Sequence, residues 1–155
     1  MSKILLVEDN PDAVKRIIRY INKIFAELDV VSFPEAGDAL QYAKANAISL
    51  FILDIQLEDY QGTNLAKQLR ELPEYKYTPI IFETALAGEE LSAYRDVKCY
   101  SFLVKPFGEE EFVTAFRDAL GLSKQMSQQA KTIQIEQKQF ILEYVTPVSY
   151  THLRA

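Results

Sequence analysis

Four short apolar runs of this 155-residue chain stop at residues suited to chemistry. Ile4-Leu5-Leu6-Val7 stops at Glu8-Asp9, and the run over 48–53 stops at Asp54. The run over 79–82 is followed by Glu83-Thr84, and the run over 99–104 by Lys105. If the runs are strands of one parallel sheet, their ends meet at one edge. Three carboxylates (Glu8, Asp9 and Asp54), a hydroxyl and an ammonium then surround one cleft. Three acids in one place repel one another and call for a cation. Hard oxygen donors suit Mg²⁺, which takes few carboxylates plus waters and a phosphate. A lysine and a threonine opposite the acids can hold phosphoryl oxygens. A carboxylate with a free oxygen can serve as the nucleophile that accepts such a group. Any one of these residues alone is an ordinary polar strand terminus; five at matching ends form a site.

The rest of the composition narrows the chemistry. A single cysteine, Cys99, excludes an internal disulfide and a cysteine-rich metal site. A single histidine, His152, leaves no histidine cluster and no histidine-based triad. The net charge is −5, with 48% hydrophobic and 25% charged residues, the balance of a folded globular chain. Residues 1–122 carry thirteen Lys or Arg against twenty Asp or Glu, a poor match to a phosphate backbone. No stretch approaches the ~18–20 apolar residues of a membrane span. The first apolar run meets two acids too early for a signal peptide, so a cytoplasmic location is expected.

The elements that must position the five residues follow from periodicity. Asn10 offers a helix N-cap and Pro11 the favoured first helical position. Val14, Ile17, Ile18, Ile21, Phe25 and Leu28 then recur at helical spacing. Residues 30–33 read as a second strand, and Ala36, Ala39, Leu40 and Ala43 as a second helix. The third strand, 48–53, precedes a helix lined by Leu65, Ala66 and Leu69. The fourth strand, 79–82, precedes a small helix over 88–94. The fifth strand, 99–104, precedes a helix carrying Phe112, Phe116, Ala119 and Leu120 that ends near Gly121. Five strands alternating with five helices imply parallel pairing and right-handed crossovers. The expected fold is α/β, a doubly wound five-stranded parallel sheet of (βα)5 flavodoxin-like type, strand order 2-1-3-4-5. In such a sheet, ligands sit beyond the carboxyl ends of the strands.

With these residues in place, the chain resembles the receiver domain of two-component response regulators. The matching stretches are Ile4-Leu5-Leu6-Val7-Glu8-Asp9-Asn10, Leu53-Asp54-Ile55-Gln56-Leu57 with Gly62 after it, Phe82-Glu83-Thr84-Ala85, and Phe102-Leu103-Val104-Lys105-Pro106-Phe107. The resemblance covers residues 1–122. It implies that Asp54 is the phospho-acceptor, taking a phosphoryl group from a sensor histidine kinase. It implies Mg²⁺ bound by Asp9, Asp54 and the backbone carbonyl of Gln56, with Glu8 acting mainly through water. Thr84 and Lys105 would bind the phosphoryl oxygens, and Thr84 and Phe102 would form the switch. A homodimer through the helix 4–strand 5–helix 5 face is the implied response, and the chain is a signalling phosphoreceiver, not an enzyme. Three residues depart from the family pattern. Glu58 replaces a usual proline, Glu83 replaces an apolar residue and reads as a solvated rim acid, with a partly buried acid as the alternative, and Phe102 lacks a tyrosine's hydroxyl.

Residues 75–82 and 93–102 resemble receivers that precede a LytTR-type DNA-binding domain. Residues 123–131 read as a polar linker. Thr132-Ile133-Gln134-Ile135-Glu136 alternates like a strand, with 140–145 as another, so 132–146 read as a fragment of an incomplete LytTR domain. DNA would then be contacted only through the missing output domain. Residues 147–155 resemble a translated cloning scar, a non-native tail. Two alternatives remain. One is a stand-alone receiver acting through a protein partner. The other is a Mg-dependent aspartyl-phosphate phosphohydrolase, which normally needs a second acid two positions after its nucleophile, where Gln56 stands. A nucleotide-binding protein is disfavoured, because Glu8-Asp9 would repel phosphates.

Overall fold

Strands covered on both faces need no alternation, and the apolar runs form such strands here. In the computed structural model, which describes residues 2–57, 61–85, 88 and 90–142, the order begins β1 (Lys3–Val7), α1 (Pro11–Ile24), β2 (Asp29–Phe33), α2 (Ala36–Ala45). It continues β3 (Leu50–Asp54), α3 (Gly62–Glu71), a 3₁₀ turn (Pro73–Tyr75), β4 (Ile80–Thr84), α4 (Glu90–Asp96), β5 (Ser101–Val104) and α5 (Glu109–Phe140). The five strands pair in parallel, as the alternation of elements predicts, in the expected flavodoxin-like order β2-β1-β3-β4-β5. Every residue of β3 and β4 is buried, whereas the edge strands β2 and β5 are partly exposed. Among the described residues, no helix is long and apolar enough to cross a membrane.

The strand period of two sorts side chains into two cores. Leu5, Val7, Phe51, Leu53, Ile80 and Phe82 face one side with α2 and α3. Ile4, Leu6, Leu50, Ile52, Ile81 and Leu103 face the other, against Ile17 and Ile21 of α1 and Phe112 and Phe116 of α5. The α1 cap follows the sequence reading: the Asn10 side chain accepts from the N–H groups of Asp12 (2.9 Å) and Ala13 (3.3 Å), and Pro11 opens the helix. Arg70, half-buried on α3, ties two crossovers by donating to the carbonyls of Tyr75, Thr78, Val97 and Lys98. A charged donor serving several carbonyls replaces the water that a buried loop backbone would lose.

Cys99 is buried just before β5, and burial pushes its thiol up to about 12. Only the thiolate is nucleophilic, so the folded protein is expected to resist iodoacetamide near neutral pH and to react readily in urea. Equal alkylation rates with and without urea would contradict this burial.

Two expectations for the C-terminal part are corrected. Helix α5 does not end near Gly121, and Thr132-Ile133-Gln134-Ile135-Glu136 is helical, not a strand. A lone glycine costs a helix only about 1 kcal/mol, while the Lys, Gln, Met, Ala and Glu residues that follow are good helix formers. Ile133 and Ile135 are 53% and 69% exposed, so their alternation answers to no sheet. The residues expected to form a linker, 123–131, are helical as well. Residues up to Ser123 form one compact unit and those from Lys124 a second, whose described part is helical and, apart from the half-buried Met126, exposed. Glu58, residues 143–145 of the second expected strand, His152 and the 147–155 tail lie outside the described residues.

Candidate functional site

The site is built by strand register. In parallel strands, paired residues point to the same face. Val7 pairs with Leu53, so Glu8 and Asp54, one step on, project together; Asp54 in turn pairs with Glu83. The three acids form one row across β1, β3 and β4, on the face of Ile52, Ile81 and Leu103. Glu83 pairs with Leu103, and two residues later Lys105 returns to that face. Its Nζ lies 2.6 Å from Glu8 Oε1, 3.1 Å from Asp54 Oδ2 and 3.5 Å from Glu83 Oε2. One oxygen from each of the three acids lies within 4.8 Å of the others.

Backbone donors fix the acids further. The Asn10 N–H donates to Glu8 Oε2 (3.0 Å), and the Gln56 N–H to Asp54 Oδ1 (2.9 Å). Asp54 is held in turn by the close approach of α3. The Gly62 N–H donates to the Ile55 carbonyl at 2.7 Å, and a Cβ on Gly62 would lie 2.0 Å from the Asp54 carbonyl oxygen. Only glycine permits that approach.

Electrostatics divide the acids. Burial works to raise the Glu8 carboxyl, but hydrogen bonds from Glu83, Lys105 and the Asn10 N–H overcome it and hold Glu8 low, at about 2. Burial first, then Glu8, pushes Glu83 up to about 9. Neither Glu83 oxygen has a hydrogen-bond donor among the described residues, and the carboxylate it faces can only accept. A proton on Glu83 turns that repulsion into a hydrogen bond. Asp54 is raised from its ordinary value, mainly by burial and in part by Glu8, against the Gln56 N–H and Lys105. Burial tends to lower Lys105, yet the surrounding acids raise it, so it remains an ammonium.

The sequence-predicted residues divide in two. Glu8, Asp9, Asp54, Gln56 and Lys105 line one open cleft of about 420 Å³ at the carboxyl edge of the sheet, which Asn10, Leu57 and Ala85 complete. Thr84 is wholly buried beside it, and its carbonyl accepts from the Lys105 N–H at 2.7 Å. Phe102 is not in the cleft. It is half-buried, with its ring tilted against Phe82 at 6.2 Å, and strand alternation sets it with Thr84 on the face opposite the acids. Glu83 is the residue that sequence reading misplaced: it is 0% exposed, not a solvated rim acid. Its place in a run covered on both faces, in step with Asp54, was the available signal.

A family model described as the response regulator receiver domain matches residues 4–117. The chain belongs to that family. The receiver is 30% identical over 137 residues to the cyclic di-GMP phosphodiesterase response regulator RpfG of Xanthomonas campestris pv. campestris, covering 87% of this chain and 36% of that protein. It is 31% identical over 118 residues to the transcriptional regulatory protein SrrA of Staphylococcus aureus, covering 73% of this chain and 46% of that protein. The chemotaxis response regulator CheY4 of Vibrio cholerae superposes with a TM-score of 0.69 at 25% identity, over 77% of this receiver chain and 99% of that one. The chain thus spans less than half the length of RpfG and of SrrA.

Proposed function

We propose that Asp54 accepts a phosphoryl group from a sensor histidine kinase and that the receiver relays this state to a transcriptional output. The observation that carries the reading is the placement of Asp54. Its carboxylate stands at the edge of an acid-lined cleft, between the Gln56 N–H and the Lys105 ammonium. An Asp54 oxygen attacks phosphorus, the bond from phosphorus to the donor's histidine nitrogen breaks, and that nitrogen departs with the electron pair and takes a proton. Lys105, with Thr84, receives the phosphoryl oxygens; a charge-assisted contact draws both toward the modified residue. Thr84 and Phe102, sharing one face of the sheet, carry the change to the helix 4–strand 5–helix 5 face, where a homodimer forms.

The donor set fits a hard divalent cation: Glu8, Asp9 and Asp54 share one cleft with Gln56 and set three carboxyl groups against one ammonium. Asp9, Asp54 and the Gln56 carbonyl would hold Mg²⁺, with Glu8 acting through water, and the ion would neutralise charge on the phosphoryl group. A transcriptional output has support in relatives such as the transcriptional regulatory protein SrrA and the probable transcriptional regulator ycf29 of Porphyra purpurea. A LytTR-type output domain rests on the likeness of residues 75–82 and 93–102 to receivers of that class, with DNA contacted only through that domain.

Acetyl phosphate with Mg²⁺ is expected to add one phosphoryl group, labile in acid and seen in the intact mass. Chelation of the metal should stop the reaction. Failure to take up phosphate from acetyl phosphate and from a panel of histidine kinases would overturn the reading.

A further inference from the structure

Glu83 has no part in the chemistry proposed above, yet it is wholly buried and faces the site. Register explains how it arrives there: it continues the row that Glu8 and Asp54 begin. An ammonium has three N–H donors. At Lys105 three carboxyl groups surround them: Glu8 at 2.6 Å, Asp54 at 3.1 Å and Glu83 at 3.5 Å. Glu8 and Asp54 also receive backbone N–H groups, whereas neither Glu83 oxygen has any such donor among the described residues.

We propose that Glu83 is a positioning residue for Lys105, the inner carboxyl group, 3.5 Å from its Nζ, that seats the ammonium over the acid row and restrains it from turning further out into the cleft it lines. An apolar side chain at this position would remove the carboxyl group that now lies 3.5 Å from the ammonium and put nothing polar in its place. The lysine side chain is 22% exposed, so water in the cleft is the nearest alternative, and the ammonium would turn outward. Phosphorylation draws Lys105 the same way. Glu83 therefore opposes that step, because it favours one of the two lysine positions and not the other. This consequence rests on the reading of Lys105 as a phosphoryl ligand; the seating itself does not.

The test uses the full chain with ¹⁵N-labelled lysine, free of divalent cations, with the Lys105 signal assigned through Lys105→Arg. A slowly exchanging Lys105 ammonium signal is expected in the parent. Glu83→Gln should retain it, since an amide offers a carbonyl to Lys105 and an N–H to Glu8. Glu83→Leu should lose it, and Glu83→Met is read in the same way if the leucine variant does not fold. Parental exchange in the apolar variant would overturn the proposal, and so would loss of the signal in Glu83→Gln. Titration with beryllofluoride and Mg²⁺ then reads the consequence: affinity rises severalfold in the apolar variant and stays near parental in Glu83→Gln. Equal affinity in all three would overturn the restraint on phosphoryl binding. If Asp54 is not the acceptor, none of the three binds beryllofluoride while the ammonium signals still differ, so the two failures are distinct.

Discussion

Asp54→Asn is expected to fold like the parent and to take up no phosphoryl group from acetyl phosphate. Asparagine matches aspartate in shape and keeps an oxygen for the Gln56 N–H, so the β3 terminus retains its anchor. The amide oxygen is a far weaker nucleophile toward phosphorus, and the negative charge that a cation and Lys105 would balance is gone. The loss should therefore be complete, not partial. Stability should not suffer. Burial and the nearby Glu8 already disfavour ionised Asp54, which shows in its raised pKa. A group whose folded pKa lies above its unfolded value opposes folding at higher pH, so its neutral isostere should melt at or above the parental temperature near neutral pH. Intact-mass spectra with and without phosphodonor, beside thermal melts of both proteins, make the comparison. Equal phosphoryl uptake by Asp54→Asn would remove Asp54 from its proposed role.

Gly62→Ala is expected to destabilise the receiver by about 3 kcal/mol, the upper part of the range for overpacking a well-filled interior. For a domain of this size that lowers Tm by on the order of 10 °C. The added Cβ would meet the Asp54 carbonyl oxygen at 2.0 Å, its carbonyl carbon at 2.8 Å and Ile55 Cα at 3.0 Å. All three are backbone atoms and cannot rotate away. Either α3 moves off the sheet, breaking the 2.7 Å hydrogen bond from the Gly62 N–H to Ile55, or the end of β3 shifts and takes Asp54 with it. Phosphoryl uptake should consequently fall even at temperatures where the variant remains folded. Gly121→Ala is the control. Nothing lies within 4 Å of its added Cβ, and it sits inside α5, where alanine should stabilise by roughly 0.5–1 kcal/mol. Parental stability in Gly62→Ala would show that the close approach to Asp54 is not maintained in solution.

Much of the fold was legible because its signals are local. Asn10-Pro11 caps a helix through groups two and three residues away, and apolar runs without alternation mark strands covered on both faces. The parallel pairing followed from the alternation of elements, the observed order is the flavodoxin-like one expected, and with it Glu8, Asp9, Asp54 and Lys105 converge on one cleft. Glu83 shows where local reading stops. One charged residue at the end of an apolar run looks like a rim residue until the register with Asp54 is known, and that register depends on how two distant segments pair. The same holds for Phe102, whose face is set by its pairing with Phe82 and not by its neighbours in sequence. At the C-terminal end the error ran the other way. Alternation in Thr132-Ile133-Gln134-Ile135-Glu136 suggested a strand, but alternation stabilises a strand only when a sheet covers one face. With those isoleucines exposed, backbone propensity prevailed and the segment is helical. By itself the sequence determined which residues could react and the elements that carry them. Tertiary structure alone decided that a third carboxyl group sits beneath Lys105, because a side chain's neighbours across a sheet are set by strand register, which no single segment contains.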